Sequence, residues 1–309
     1  MRILVTGGAG FIGSHTVDLL LANGMQVVVF DNLLSGDLTH INLAHPQLKF
    51  VQQDVLDYSA LLVEINRCDA VLHLAAIPSV PKSIENPIES MRVNLQGFLQ
   101  VVQAIRVLKR PIRLVYASSA AVYGAETPLP CSDERPLSSA VLSPYALEKA
   151  NVERYAELYA GLFGVKSLGL RYFNVYGPRQ DPNSPYAGVI SKFIECYRKE
   201  KPITIFGDGM QSRDFIYVAD IAKANLLALQ SSYCGVLNIA TGVPETLRNL
   251  VSYIELVGGK LAQVDYAAAR IGDIAQSYAK IDKAAKELGF RDSTSLEQGI
   301  HSLLKIVYN

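Results

Sequence analysis

The chain of 309 residues contains no tryptophan and only four cysteines. Cys68, Cys131, Cys196 and Cys234 are widely spaced and form no CxxC pair, so the sequence indicates neither a disulfide framework nor a thiol redox motif. No secretory signal is recognised at the start of the chain, which favours reduced thiols and a cytoplasmic location.

An excess of charge of either sign is also missing, because 29 Lys and Arg residues balance 29 Asp and Glu residues. The sequence therefore gives no general electrostatic reason to bind nucleic acid or an anionic membrane, and local groups must hold any anionic ligand. No apolar run reaches the roughly 18 residues of a membrane helix. The five histidines are scattered, so no metal site is predicted.

The first half of the chain alternates short apolar runs with longer helical stretches. The predicted strands are Arg2–Thr6, Gln26–Phe30, Lys49–Gln52, Ala70–Leu74, Ile112–Ala117 and Ser167–Arg171. Helix-length segments between them include Phe11–Asn23, Ile88–Lys109 and Pro144–Phe163. Continuously apolar strands are typical of a parallel sheet covered on both faces. The pattern predicts a doubly wound α/β fold of the Rossmann type.

The pattern loosens after about residue 175, where "NVYGPRQDPNSPYAG" is rich in Pro, Gly and Asn. We predict a first domain over 1–175 and a smaller, less regular domain over 176–309. The chain is expected to return to the first domain around 214–240. A final helix is predicted near Leu296–Tyr308.

A glycine-rich stretch, "ILVTGGAGFIGSH", follows the first strand directly. Gly8, Gly10 and Gly13 satisfy GxGxxG, and Gly7, Gly10 and Gly13 satisfy GxxGxxG. Glycines permit a tight turn and close approach to a pyrophosphate, and the helix from about Phe11 points its free N–H groups at that anion. A tight turn without any ligand is the alternative.

Asp31 ends the second predicted strand at the distance expected of a group that binds an adenosine ribose. A carboxylate there disfavours a 2′-phosphate, which favours NAD over NADP. Asp54 follows the third strand, where contact with the adenine and an ordinary surface position both remain open.

Small and hydroxylated residues stand at two further strand ends, the first being "LHLAA" over Leu72–Ala76. Ser118 and Ser119 end the fifth predicted strand. Ligands of open α/β sheets bind outside the carboxyl ends of the strands, although serines there are also common turn residues.

Tyr145 and Lys149 are predicted to lie one turn apart on one helical face. Ser143 and Pro144 just ahead suit the N-cap and the first helical position. Taken alone, such a pair is typical of an amphipathic surface helix.

Taken together, these stretches resemble the extended short-chain dehydrogenase/reductase family, and within it the NAD-dependent epimerases and dehydratases of nucleotide sugars. The similarity is greatest to UDP-glucose and UDP-N-acetylglucosamine 4-epimerases, and it covers nearly the whole chain. It is carried by "GGAGFIG" (7–13), "DN" (31–32), "LAA" (74–76), "VN" (93–94), "SSAAVYG" (118–124), "YALEK" (145–149), "RYFNVYGPRQ" (171–180), "RDFIYVAD" (213–220) and "RIGD" (270–273).

The resemblance implies that Ser119, Tyr145 and Lys149 are catalytic. A free phenol has a pKa of about 10, and a nearby ammonium and a positively charged nicotinamide would lower it. Tyr145 would take the proton of the sugar 4-hydroxyl while NAD accepts a hydride. The 4-keto sugar would then turn over and receive the hydride on its other face.

The resemblance also implies two sets of binding residues and no metal. The NAD set is Gly7, Gly10, Phe11, Ile12, Gly13, Asp31, Asn32, Ser35, Gly36, Asp54, Val55, Leu74, Ala75, Ala76, Asn94, Ser118, Tyr145, Lys149 and Tyr172. The UDP-sugar set is Lys82, Ser119, Tyr145, Asn174, Arg213, Arg270, Asp273 and Ser277.

Several residues of the second set bear on the choice of sugar. Forked guanidinium donors suit a diphosphate, whereas a surface ion pair is the alternative for each arginine. Ser277 is small, which leaves room for an N-acetyl group. Lys82 would meet the carboxylate of a uronic acid or stand as a surface lysine.

Ala120 and Ala121 favour epimerisation over related reactions, because dehydratases of this fold carry an Asp-Glu pair there and decarboxylases a Glu. Another nucleotide-sugar enzyme, such as a reductase, decarboxylase or dehydratase, and a non-catalytic NAD-binding sensor remain alternatives. Glu148 stands where many relatives have Ser or Thr, and we expect it to face away from the site.

The family commonly forms homodimers through two helices, here those near Ile88–Lys109 and Pro144–Phe163. Its usual work in nucleotide-sugar metabolism implies a role in polysaccharide biosynthesis.

Overall fold

The computed structural model describes residues 1–125, 127–135, 137, 140–182, 188–269 and 274–305. The strands are β1 (Arg2–Thr6), β2 (Gln26–Asp31), β3 (Leu48–Gln52), β4 (Ala70–His73), β5 (Arg113–Ser119), β6 (Ser167–Tyr172), β7 (Asn174–Tyr176), β8 (Ile203–Phe206), β9 (Ser212–Tyr217), β10 (Gly235–Ile239), β11 (Pro244–Thr246), β12 (Val264–Ala267) and β13 (Gln276–Ser277). The α-helices are α1 (Phe11–Ala22), α2 (Tyr58–Ile65), α3 (Val80–Glu85), α4 (Pro87–Met91), α5 (Gly97–Leu108), α6 (Pro144–Phe163), α7 (Val189–Arg198), α8 (Val218–Gln230), α9 (Leu247–Gly258), α10 (Asp282–Leu288) and α11 (Leu296–Lys305).

A seven-stranded parallel sheet in the order β3-β2-β1-β4-β5-β6-β10 forms the centre of the molecule. Its strands are apolar on both faces because helices cover both: Ile3 and Val5 of β1 belong to one buried cluster and Leu4 to another. The first cluster includes residues of α1 and α8, and the second includes residues of α2, α5 and α6. The predicted doubly wound α/β fold is confirmed.

The predicted helix over Pro144–Phe163 agrees with the structure at both ends. The segment predicted near Ile88–Lys109 is helical but not uniform, since a π-helical stretch, Arg92–Gln96, joins α4 to α5. The final helix is described as Leu296–Lys305, and the remaining predicted residues, 306–309, lie outside the described chain.

A second sheet lies beside the carboxyl ends of the large one. In it β9 pairs with β11 and β13, and also with β7, while β8 and β12 form a separate pair. The chain then returns through α8 to β10, which joins β6 in the seven-stranded sheet. The division into domains 1–175 and 176–309 remains a prediction.

Within the described parts of the chain, none of the helices has the length and apolar character that a membrane span requires. The same residues contain no group of three or more His, Cys, Asp or Glu side chains placed to hold a metal ion.

Candidate active site

A cleft of about 820 Å³ opens at the carboxyl ends of the parallel strands, where the second sheet faces the first. Most residues predicted from the sequence line it. They are Gly7, Gly10, Phe11, Ile12, Gly13, Asp31, Asn32, Ser35, Asp54, Val55, Leu74, Ala75, Ala76, Ser118, Tyr145, Lys149 and Tyr172 of the NAD set, and Lys82, Ser119, Asn174, Arg213 and Ser277 of the UDP-sugar set.

The glycine turn between β1 and α1 forms one end of the cleft. Gly7 has a left-handed φ of +68°, and a Cβ there would lie 2.7 Å from the backbone nitrogen of Ala75. A Cβ on Gly13 would lie 2.1 Å from the carbonyl oxygen of Gly7. A Cβ on Gly10 would meet only that same oxygen, at 3.2 Å, and would otherwise enter open space.

Gly10 is also the N-cap of α1, and no side chain caps this helix or places an acidic group in its first turn. The N–H groups at the start of α1 therefore remain available to a ligand beside Gly10. Uncapped donors at a helix N-terminus, next to a position without a side chain, fit the pyrophosphate of NAD.

Asp31 closes the same end of the cleft from β2. Its Oδ2 accepts from the backbone N–H of Ala9 at 2.9 Å, and its Oδ1 accepts from that of Leu33 at 2.8 Å. The side chain is buried and fastens the glycine turn to the second strand. Each carboxylate oxygen has a further lone pair, so Asp31 can also accept from ribose hydroxyls.

Two residues of the predicted NAD set lie behind the lining rather than in it. Gly36 packs against the glycine turn, because a Cβ there would lie 2.8 Å from the Cβ of Ala9. Asn94 is buried and forms two hydrogen bonds with the backbone of Ile77. Its Oδ1 accepts from Ile77 N at 2.7 Å, and its Nδ2 donates to Ile77 O at 3.1 Å. Ile77 lines the cleft, so Asn94 supports that wall from behind.

The cleft brings Tyr145, Ser119 and Lys149 together. Ser143 caps α6 by accepting from Ala146 N at 3.1 Å, as predicted. The hydroxyl of Tyr145 faces the side chain of Ser119 at the end of β5. The Nζ of Lys149 lies 5.9 Å from the ring centroid of Tyr145.

Burial dominates the protonation of this pair. It raises the pKa of Tyr145, as does the charge of Glu148, while the Ser119 hydroxyl acts in the opposite direction. Burial lowers the pKa of Lys149 to about 8, against the charges of Glu148 and Glu153. The protein by itself therefore keeps Tyr145 a phenol, although the sequence predicted that a nearby ammonium would lower its pKa.

Glu148 does not line the cleft, in agreement with the expectation that it faces away from the site, but it is not at the surface either. Its side chain is buried, and its Oε2 accepts from Ser90 Oγ at 2.8 Å and from Asn94 Nδ2 at 2.6 Å. The reason is tertiary: α4 and the π-helical stretch pack on the face of α6 that carries Glu148 and present two polar groups to it.

A buried ionic network lies behind Ser118, and the sequence analysis missed it. Ser118 Oγ donates to Glu153 Oε1 at 2.5 Å, and Arg171 forms a two-point ion pair with the same carboxylate. Arg171 also donates to the hydroxyl of Tyr123 at 2.8 Å. The available signal was Arg171, a charged residue at the end of a strand that was expected to be covered on both faces.

Strand pairing in the second sheet brings together the residues that form the opposite wall of the cleft. Ser277 of β13 lies in register with Arg213 of β9, and Asn174 of β7 donates to the carbonyl oxygen of Asp214 at 3.0 Å. Two other predicted substrate residues, Arg270 and Asp273, lie outside the described residues.

The loop after β7 contributes lining residues to which the sequence analysis assigned no role. Arg179 has a left-handed φ of +66°, and its Nη2 lies 2.8 Å from Oδ2 of Asp18 on α1. Gln180 also lines the cleft and accepts from Ser191 Oγ at 2.5 Å. Both residues lie within the motif "RYFNVYGPRQ", which was the available signal.

Comparison with known proteins identifies what this arrangement resembles. Residues 3–240 match the profile of the NAD dependent epimerase/dehydratase family. A putative UDP-glucose 4-epimerase of Methanocaldococcus jannaschii is 41% identical over 99% of this chain and 98% of its own length.

Two solved structures are similar over nearly their whole length. The UDP-N-acetylglucosamine 4-epimerase of Methanobrevibacter ruminantium, in complex with UDP-N-acetylmuramic acid, has a TM-score of 0.94 and 38% identity over 98% of this chain and 97% of its own. The UDP-glucose 4-epimerase of Thermus thermophilus, in complex with NAD, has a TM-score of 0.88 and 37% identity over 98% of both chains.

Proposed function

The chain belongs to the NAD-dependent epimerase/dehydratase family, and from this premise we propose that it is a UDP-sugar 4-epimerase. One observation carries the proposal. Tyr145, Ser119 and Lys149 line the same cleft as the uncapped glycine turn, opposite Arg213 and Ser277.

The residues at the glycine turn would hold the cofactor. The start of α1 would bind the pyrophosphate, and Asp31 the adenosine ribose. When bound, NAD supplies a hydride acceptor that can return the hydride within the same turnover. Binding and orienting the sugar, and moving its proton, are left to the protein.

Tyr145 is the group we assign to proton transfer at the sugar 4-hydroxyl. Its hydroxyl faces that of Ser119, so the two hydroxyls can donate to and accept from the same sugar oxygen. Lys149 donates to the carbonyl oxygen of Ala117 at 2.9 Å, which fixes its ammonium at the end of β5. Arg213 on the opposite wall would pair with the diphosphate and keep the nucleotide anchored while the keto sugar turns over.

The stretch after Ser119 supports epimerisation rather than elimination or decarboxylation. Ala120 and Ala121 line the cleft in a 3₁₀ turn and offer only methyl groups. A dehydratase needs an additional acid and base near the sugar, whereas epimerisation with NAD as hydride carrier needs no acid–base group beyond the one at the 4-hydroxyl.

The sugar pocket supports acceptance of N-acetylhexosamines as well as plain hexoses. Ser277 is small and lines the cleft beside Arg213, which leaves room for an N-acetyl group. Lys82 of α3 lines the same cleft and is the cation that would pair with the carboxylate of a uronate.

Incubation of the purified protein with UDP-glucose, UDP-N-acetylglucosamine and UDP-glucuronate, followed by chromatography and mass analysis, tests the proposal. We expect an isomer of unchanged mass without added NAD. A product of different mass would show a dehydratase or decarboxylase, and no turnover of any nucleotide sugar would favour a binding protein.

Tyr145→Phe is expected to lower turnover by about 10²–10⁴-fold, since it removes the proton-transfer group, and to leave bound NAD in place. Tyr155→Phe is the matched control, because Tyr155 is exposed on the same helix. Equal turnover by Tyr145→Phe and the wild type would contradict the assigned role.

We also propose that the protein is a homodimer. Large apolar side chains are exposed on neighbouring helices α4 and α6, which pack against each other. They include Ile88, Met91, Leu158 and Leu162. Sedimentation of the wild type and of Leu158→Glu tests this, with a dimer expected for the first and a monomer for the second.

The cytoplasm is the compartment we propose, because all four cysteines are free thiols.

A further inference from the structure

Glu148 occupies an unusual position between the two residues assigned to catalysis. Its side chain is buried within α6, three residues after Tyr145 and directly before Lys149. Its Oε2 accepts both hydrogen bonds, from Ser90 and Asn94. Its Oε1 is also buried and has no hydrogen-bond partner in the part of the chain that the structure describes.

These hydrogen bonds do not require a carboxylate. One oxygen accepts both, so a neutral amide or hydroxyl acceptor would serve Ser90 and Asn94 with a smaller desolvation penalty. A buried carboxylate oxygen without a partner is unfavourable unless its charge interacts with another group. The charge of Glu148 acts on Lys149 and Tyr145, and it raises the pKa of both.

The other ionisable groups around this pair are neutral, paired or at the surface. Burial lowers the pKa of His73 to about 3, so its ring is neutral. Glu153 is paired with Arg171. Burial keeps the nearby phenols Tyr116 and Tyr123 protonated by raising their pKa.

On the helices packed against α6, the charged side chains are Lys82, Glu85, Glu89, Arg92 and Arg106, and all five reach solvent. Glu89 and Arg92 lie 3.6 Å apart. Among the described residues, Glu148 is therefore the buried carboxylate next to Tyr145 and Lys149 that no arginine neutralises.

We propose that Glu148 is a positioning residue that sets the protonation of the Tyr145–Lys149 pair. Its negative charge holds Lys149 as an ammonium ion and keeps Tyr145 protonated. Tyr145 then remains a phenol until a further positive charge, that of an oxidised nicotinamide ring, enters the cleft. Formation of the base is thereby tied to the presence of the oxidised cofactor. The inference rests on the proposed function only in treating Tyr145 as the proton-transfer group.

Glu148→Gln tests the charge separately from the hydrogen bonds, because the carboxamide keeps the shape and one acceptor oxygen. The first measurement is an ultraviolet titration of tyrosinate in the purified holoenzyme, taken as the difference from the matching Tyr145→Phe protein. We expect Tyr145 to titrate at lower pH in Glu148→Gln than in the wild type. Glu157→Gln removes the same charge from an exposed position of α6 and should leave the titration unchanged.

The second measurement is the pH dependence of kcat/KM. Both limbs should move to lower pH in Glu148→Gln, because removing the carboxylate lowers the pKa of Tyr145 and of Lys149 alike. A uniform loss of activity with unmoved limbs and an unmoved titration would show a purely structural role and overturn the proposal.

Glu148→Ser gives a second test if the glutamine variant does not fold, since serine removes the charge and is small enough to be accommodated at a buried position. The same shift to lower pH is expected. If the wild type turns over no UDP-sugar, the proposed function fails, but the tyrosinate titration still decides whether Glu148 controls Tyr145. An unshifted titration in folded variants refutes the inference about Glu148 whatever the enzyme's activity.

Discussion

Arg171 and Glu153 form a buried two-point ion pair directly behind the active site. Nε of Arg171 lies 2.9 Å from Oε1 of Glu153, and Nη2 lies 2.6 Å from Oε2. Both side chains are at most 5% exposed, so neither charge is solvated by bulk water. The pair ties β6 to α6, and its carboxylate accepts from Ser118, the neighbour of Ser119. The geometry of the catalytic strand end therefore depends on it.

We predict that Glu153→Gln lowers the free energy of unfolding by about 3–5 kcal/mol, because it leaves the guanidinium of Arg171 buried without a countercharge. Chemical denaturation measures this. Glu200→Gln is the control: its partner Lys260 lies 2.6 Å away at the surface, and no measurable change is expected. Equal stabilities of the two variants would contradict the prediction.

Two glycines of the turn should respond differently to alanine. Gly13→Ala places a Cβ 2.1 Å from the Gly7 carbonyl oxygen, so we expect the free energy of unfolding to fall by about 1–3 kcal/mol or more. The Cβ of Gly10→Ala meets only the Gly7 carbonyl oxygen, at 3.2 Å, so a small shift should let the protein fold. We expect this variant to lose at least about tenfold in NAD affinity, or about 1.4 kcal/mol.

Denaturation curves and the NAD released from each purified variant separate the two effects. Full NAD occupancy in Gly10→Ala would show that the start of α1 does not hold the pyrophosphate.

Stability at alkaline pH should report the burial of Lys149. The pKa of Lys149 is about 8 in the folded protein, whereas in the unfolded chain it has its ordinary value of 10.5. Between pH 8 and pH 10.5 the unfolded chain therefore binds more protons than the folded protein. Stability contributed by this residue therefore rises with pH across that window. A fall from 10.5 to about 8 corresponds to about 3 kcal/mol.

The measurement is the difference in unfolding free energy between the wild type and Lys149→Met. We expect it to move by about 3 kcal/mol in favour of the wild type from pH 8 to pH 10.5. A difference that stays constant across this range would mean that the lysine is not buried as an ammonium ion.

The size of residue 277 should decide which sugars are accepted. Ser277→Tyr fills the space beside Arg213, and we expect kcat/KM for UDP-N-acetylglucosamine to fall at least about tenfold relative to UDP-glucose. Ser277→Ala keeps the side chain small and should leave that ratio unchanged. If both substrates decline equally in Ser277→Tyr, this residue does not discriminate between them.

The sequence by itself determined the elements that local physics controls. Apolar runs as long as a strand indicated β1 to β6, and Ser143 followed by Pro144 set the start of α6. The glycine turn could be recognised in the sequence because these positions require glycine: Gly7 has a left-handed φ, and Gly13 has no space for a Cβ.

Only the tertiary structure decided which distant residues meet. The pairing of β9 with β13 brings Ser277 beside Arg213, and the packing of α4 and the π-helical stretch on α6 buries Glu148 against Ser90 and Asn94. Periodicity and capping specify a segment and its exposed face, but the partner of that face depends on the packing of the whole chain. The sequence alone therefore suggests that a charged residue in a helix is exposed to solvent, and only the packing of the neighbouring helix shows whether it is buried.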